Sequence, residues 1–326
     1  MSDEPELHRY SVYGMRVQSF FPLQPLLESE FEEPDIEILI SDETSPVKPP
    51  MAVPKFVLLW QKREEDALLG YYWAGGGYTE FRYSMSPGKM KIIPSYSNFR
   101  NMIPALIGPA FGAALSIRGD LCLHGSVLAL NGKAFIICGK SGGGKSSLSA
   151  ALLLQGASFL SDDIGVIEMI GKQPFVFPGY PYSRIDRMIA EKLGLDSEQL
   201  TKVFPHSKRD GKLFLGANTF SGGFCGNPLP LTNVFFLEKR SHHLTEPVIQ
   251  SITQSDSVPL FLKSMYGFGR LNTISASSFQ RCSELVGPVK SWRFQAPDNL
   301  DSLSQCAATI LKILSPKFLN SDSATY

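Results

Sequence analysis

The chain has 326 residues, 43% of them hydrophobic, with 31 basic and 31 acidic side chains. That length holds one large domain or two ordinary ones with real cores, and the charge balance excludes a strong overall pull toward nucleic acid. The longest quiet apolar stretch, Ala105–Ile117, contains Pro109 and is too short to span a bilayer, so no membrane segment is expected.

The first hundred residues read as β-rich. Tyr10–Phe20 alternates loosely, with Val12, Met15, Val17 and Phe20 apolar, and Ile36–Ile40 is a short alternating strand. Ser45–Pro54 is a proline-rich loop, and Phe56–Trp60 is an apolar strand. Tyr71–Trp73 and Tyr78–Tyr83 flank Gly75-Gly76-Gly77, a flexible turn, and Ile92–Pro94 is a further strand. From residue 98 the character changes. Asn98 is placed to cap a helix through Met102, Leu106 and Ala110, although Pro104 and Pro109 disturb it. This segment is taken as the join between a β-rich domain, 1–110, and a second domain, 111–326.

Beyond Leu121 the pattern is sharp. Leu121–Leu130 reads as a strand, Asn131-Gly132 as a tight hairpin turn, and Ala134–Cys138 as a short apolar strand. Lys145–Gln155 is helical in composition, with Gly156 as its C-cap. Ser158–Leu160 starts another strand, ended by Asp162-Asp163. Val166–Ile170 and Phe175–Phe177 pair around Gly171, and the tail after Pro316 is expected to fray. Cys122, Cys138, Cys225, Cys282 and Cys306 form no CxxC pair, so neither structural zinc nor a disulfide framework is suggested. Buried thiols and a polar, acidic first ten residues point to a reducing cytoplasm and no signal peptide.

Gly139–Ser146 fits G-x-x-x-x-G-K-[ST], between an apolar strand and a helix. Glycines let successive backbone N–H groups turn inward around a phosphate, and the helix start presents its positive dipole end to the same anion. The candidate nucleotide-binding residues are therefore Gly139, Ser141, Gly142, Gly143, Gly144, Lys145, Ser146 and Ser147. Lys145 would bridge the β- and γ-phosphates, and the Ser146 hydroxyl would bind Mg²⁺. Asp162-Asp163, at the end of the next strand, supplies the carboxylates that such a site needs. One would accept a proton and the other would serve the metal, whereas in isolation the pair is a polar turn. His124 lies on the strand leading toward the loop and is placed to orient or charge an Asp162 carboxylate; without that context it is a core histidine. Arg184, Lys208, Arg209 and Lys212 are candidates for phosphate or acidic-substrate contacts; with Arg187 they make 172–213 a basic stretch, whose other reading is a solvated face.

In order and spacing, Leu123-His124-Gly125-Ser126, Asn131-Gly132, Gly139–Ser146 and Ser161-Asp162-Asp163 resemble the catalytic domain of HPr kinase/phosphorylase. The likeness continues more loosely through Pro178–Arg184, Lys208–Lys212, Asn227–Pro230 and Glu238–Arg240. The part before it, with Tyr10, Gly14 and Pro22-Leu23, is similar to the small β-rich domain preceding such kinase domains in bacterial peptide-biosynthesis clusters. There the enzyme phosphorylates the C-terminal serine of a lasso-peptide precursor. The resemblance implies an α/β, HPr-kinase-like P-loop domain with a mixed sheet behind a smaller β-rich domain, and a cytoplasmic serine kinase using ATP and Mg²⁺. It makes Asp162 the base, Asp163 the metal-side neighbour, and His124 and Lys145 their catalytic partners. A precursor peptide is the implied partner, and a homo-oligomer stays open. The family's later glycine-rich signature, with its acidic residue and arginine, has no copy here. That argues against HPr itself as substrate and leaves the second Mg²⁺ ligand and the phosphorylase back-reaction unassigned. Two other readings stand beside this one: a kinase for another protein or small-molecule hydroxyl, and a nucleotide-dependent switch with little transfer activity.

Overall fold

The computed structural model describes residues 6–41, 58–63, 66–72, 78–84, 88–94, 103–203, 211–267 and 276–315. The loop expected at 45–54, the glycines at 75–77, the Asn98 cap, Lys208, Arg209 and the tail after Pro316 lie outside these residues.

The first sheet is built from β1 (His8–Val12), β2 (Met15–Ser19), β3 (Leu27–Glu28), β4 (Ile36–Ile40), β5 (Leu58–Arg63), β6 (Asp66–Tyr72), β7 (Tyr78–Ser84) and β8 (Lys89–Pro94). Their order is β3-β1-β2-β4-β8-β7-β6-β5. The single run expected at Tyr10–Phe20 is in fact a hairpin. Tyr13 and Gly14, at φ 57° and 75°, make the turn, and Phe20 ends up exposed beyond β2. Glycine takes the left-handed region without cost, whereas a tyrosine does so only when its surroundings hold it there.

A helical run comes next: α1 (Ile103–Ala105), a π-helical turn at Leu106–Ala110, and α2 (Phe111–Arg118), closed by Gly119 in the left-handed region. Pro109 explains the π turn. A proline inside an α-helix lacks a donor and clashes with the preceding turn, and the wider spacing absorbs both defects. Leu106, Ile107, Phe111 and Leu115 are buried against Tyr10, Met15, Ile36, Ile38 and Phe81 of the first sheet. Cys122, Ile164, Val166 and Tyr180 join the same core, so the first sheet is packed directly onto the part of the chain that carries the glycine-rich loop.

The second sheet comprises β9 (Leu121–Leu130), β10 (Lys133–Cys138), β11 (Ser158–Ser161), β12 (Ile164–Ile170), β13 (Gln173–Phe177), β17 (Leu229–Leu237), β18 (Val248–Ser251) and β19 (Lys290–Gln295). The order is β10-β9-β12-β13-β17-β19-β18, with β11 beside β9. Asn131 and Gly132, at φ 51° and 73°, turn β9 into β10 as their residue types require. β10 also pairs in parallel with β17, which closes the path from β10 through β9, β12, β13 and β17 back to β10. β10, β17 and β19 run parallel, so Cys138, Leu237 and Gln295 end on one edge. A smaller antiparallel sheet, in the order β14-β16-β15, holds β14 (Tyr182–Asp186), β15 (Thr201–Lys202) and β16 (Lys212–Gly216).

Helices cover both faces of the second sheet. α3 (Lys145–Leu154) and α7 (Leu303–Leu314) pack on the face carrying Phe135 and Ile137, and α4 (Arg187–Lys192) joins them. α5 (Gln254–Ser264) and α6 (Ala276–Glu284) pack on the face carrying Ala134, Ile136 and Cys138. Burial on both faces is why β10 reads as an unbroken apolar run rather than an alternating one. The molecule is thus a mixed α/β structure with several sheets. All five cysteines are free, and desolvation pushes the buried Cys138 thiol up to about 12. Among the described residues no helix is long and apolar enough to cross a membrane.

Candidate active site

The glycine-rich loop leaves the carboxyl end of β10 and opens α3, at the edge where β17 and β19 also end. Gly142 and Gly144 stand at φ 77° and 99°, which side chains resist. Gly143 N donates to Lys140 O at 3.0 Å, and a Cβ on Gly143 would lie 2.9 Å from that oxygen. Gly144 caps α3 without a side chain, and the first helical bond runs from Leu148 N to Gly144 O. The amides of Lys145, Ser146 and Ser147 therefore lack intrahelical acceptors and face the loop, the arrangement that receives an anion. Ser141 is exposed on the loop, and Ser146 and Ser147 are half-buried on the first helical turn.

Lys145 is only 7% exposed. Its Nζ donates to Gly139 O at 2.8 Å and Lys140 O at 3.3 Å, and it lies 3.2 Å from His124 Nε2. Burial holds its pKa below the ordinary lysine value. His124 Nδ1 lies 3.0 Å from Asp163 O, a carbonyl that also accepts from Gly125 N. The tautomer with its proton on Nδ1 satisfies both contacts: Nδ1 donates to the carbonyl, and Nε2 accepts from the lysine. His124 thus connects the lysine to the aspartate turn through the main chain.

The two aspartates follow directly on β11. They form a bend between β11 and β12, with Asp163 at φ 64°. Asp162 is 2% exposed. Ser126 Oγ donates to its Oδ1 at 3.3 Å, and Arg184 N donates to Oδ2 at 3.0 Å. Its partners are therefore Ser126 and Arg184, not the expected His124. The Asp163 carboxylate is a third exposed and is held by Arg184 Nη2. Arg184 Nε lies 3.5 Å from Asp162 Oδ2, close enough for ion pairing yet without a hydrogen bond. Arg184, expected at a phosphate, instead bridges both carboxylates here. Lys212 opens β16, opposite Asp186 and two positions along from Phe214, Arg184's partner in the pairing. Its charge contributes to lowering the pKa of Lys145. Two contributors escaped the sequence reading. Ser126 carried a signal, since it lies two residues after His124 on the same strand face. Tyr266, whose ring meets that of His124 edge-on at 6.0 Å, carried none.

Among the described residues no three His, Cys, Asp or Glu side chains are grouped to hold a metal on their own. Mg²⁺ does not require such a cage, because it binds through one or two carboxylates, water and phosphate oxygens. The Ser146 hydroxyl and the accessible Asp163 carboxylate are oxygen donors of that kind, and the uncapped helix start suits the phosphates of a nucleotide.

Two cavities flank the loop. One, of about 690 Å³, is lined by Lys140–Gly143, Glu238, Lys239, Arg240, Gln295 and Asp298. The other, of about 540 Å³, is lined by His124, Lys140, Ser141, Phe236, Lys263 and Tyr266 among others.

No protein-family model matches the sequence, and no curated protein matches it. Among solved structures, the chain is similar to the Hpr(Ser) kinase/phosphatase from Coxiella burnetii, at 13% identity and a TM-score of 0.33, over 62% of this chain and 94% of that one.

Proposed function

We propose that the chain is an ATP-dependent serine kinase of the HPr-kinase type, acting on the C-terminal serine of a lasso-peptide precursor. The observation that carries the phosphotransferase part is the connected unit running from the uncapped loop–helix start through Lys145 and His124 to the Asp162-Asp163 turn. The serine and the peptide are inferred from the sequence resemblance alone. Residues 1–110 are read as an accessory β-rich domain, and 111–326 as the kinase domain.

ATP with Mg²⁺ would supply the phosphoryl group and the positive charge that polarises it. The loop amides and Lys145 would hold the phosphate oxygens, and Ser146 and Asp163 would hold the metal ion. Asp162 would receive the acceptor's hydroxyl proton. Arg184 covers Asp162, so it must turn away first. Its Nε has no hydrogen bond to give up, its Nη2 would have to leave Asp163, and a phosphate is a natural second partner for a guanidinium. Transfer of labelled phosphate from ATP to a precursor peptide ending in serine, located by mass spectrometry, tests this reading. Full-length HPr is expected to be a poor substrate beside it, and phosphate found on HPr alone would refute the peptide assignment.

A further inference from the structure

We propose that Tyr13, at the tip of the first sheet's opening hairpin, is a positioning residue for the Asp162-Asp163 turn, so that the first sheet takes part in the site. What the turn does rests on the kinase reading above; that Tyr13 holds it stands on contacts alone. Among the described residues, those other than glycine with positive φ are Tyr13, Asn131 and Asp163. Asparagine and aspartate tolerate that region, whereas a tyrosine stays there only when its surroundings hold it. Those surroundings lead to the aspartates.

Tyr13 N donates to Pro178 O at 2.7 Å, and the next amide, Gly179 N, donates to Leu160 O at 2.9 Å. Pro178-Gly179 is thereby clamped between the hairpin tip and β11, two residues before Asp162. The tyrosine ring reaches the same place. A Cβ on Gly179 would lie 2.6 Å from Ser161 Oγ and 2.9 Å from Tyr13 Cε1, so ring, glycine and serine leave no room between them. Ser161 Oγ donates to Ile164 O at 2.6 Å, and Ile164 N donates to Asp162 O at 2.8 Å, which closes the bend. Beyond Gly179 the chain runs through the buried Tyr180 to Arg184, whose amide donates to Asp162 Oδ2. Displacing Tyr13 therefore loosens two supports of Asp162: the bend that carries it and the segment whose amide caps its carboxylate. The ring is 2% exposed, and its hydroxyl donates to Ile107 O at 3.4 Å. Burial raises its pKa, with Arg184 pulling the other way, so the hydroxyl stays protonated and Tyr13 acts by shape rather than charge. None of these contacts touches the glycine-rich loop, so holding the turn and binding a nucleotide are separable.

The test compares the full chain with its variants. Tyr13→Gly accepts φ 57° without cost but removes the ring, and Tyr13→Phe keeps the ring. Phe81→Leu weakens the same core outside the clamp. With a synthetic peptide ending in serine, Tyr13→Gly is expected to lower kcat by roughly 10- to 100-fold while binding of a fluorescent ADP is unchanged. Tyr13→Phe should keep kcat, and Phe81→Leu should lower Tm alone. Hydrogen exchange should show protection lost at residues 160–164 and 179–184 in Tyr13→Gly and kept in Phe81→Leu. An unchanged kcat in Tyr13→Gly would overturn the proposal. So would an equal fall in kcat for Phe81→Leu. If Tyr13→Gly does not fold, Tyr13→His, a smaller ring that tolerates the same φ, takes its place under the same outcomes. If the unmodified chain transfers no phosphate, the kinase reading falls and the exchange comparison decides alone; protection kept in Tyr13→Gly then overturns the positioning role.

Discussion

Lys145 is a cation buried against main-chain oxygens, and its charge is useful only because phosphate would replace the solvent it has lost. Lys145→Ala is therefore expected to reduce phosphoryl transfer by roughly two orders of magnitude or more. A labelled-ATP assay checks this, and near-normal turnover would contradict the role. Burial lowers the lysine's pKa, so the fold binds this proton more weakly than the unfolded chain does. Its contribution to stability accordingly rises with pH between the depressed value and the ordinary one. Over the same window activity should fall, as the ammonium that holds phosphate is lost. The aspartates separate by environment. Asp162→Asn should depress kcat strongly while Mg-ATP affinity stays within a fewfold, and Asp163→Asn should raise the Mg²⁺ concentration needed for half-maximal rate. Metal titration and nucleotide binding on both variants decide this; the opposite pattern means the roles are exchanged, and no change in either means that the pair is a structural turn.

At the level of elements, the site depends on where the chain turns. Gly179 lies between β13 and β14, where an added Cβ would sit 2.6 Å from Ser161 Oγ and 2.9 Å from Tyr13 Cε1. Gly179→Ala must therefore displace the segment that carries Arg184 to the aspartates. It is expected to lower both Tm and transfer rate, read by thermal unfolding and by turnover. The hairpins at Asn131-Gly132 and Gly171, the loop and α3 were legible because turn residues and apolar periodicity mark them locally. The Tyr13-Gly14 turn was missed because a tyrosine at positive φ carries no local signal. Tyr13 N donates to Pro178 O at 2.7 Å, and that contact with a distant part of the chain fixes the turn.

Over the whole molecule, the two large sheets share buried surface. Ile107, Phe111, Cys122, Ile164 and Tyr180 lie in the same core as the first sheet. Removing residues 1–94 would expose that face, and the remainder is expected to aggregate rather than yield an active fragment, as light scattering and turnover would report. Phe135, fully buried between β10 and α3, is a second test of scale. Phe135→Ala should cost about 3–5 kcal/mol and lower Tm in a denaturation experiment without altering which peptide is preferred.

The sequence by itself determined the strand–loop–helix unit, the type of each turn in it and the residues that carry charge. These depend on backbone preferences and on periodicity, which act over a few neighbours. Tertiary structure alone decided that Arg184 bridges the two aspartates, that His124 meets Lys145 rather than Asp162, and that the first sheet packs beneath the site. Those contacts join positions far apart in the chain, and their geometry is set by how both faces of the second sheet are buried.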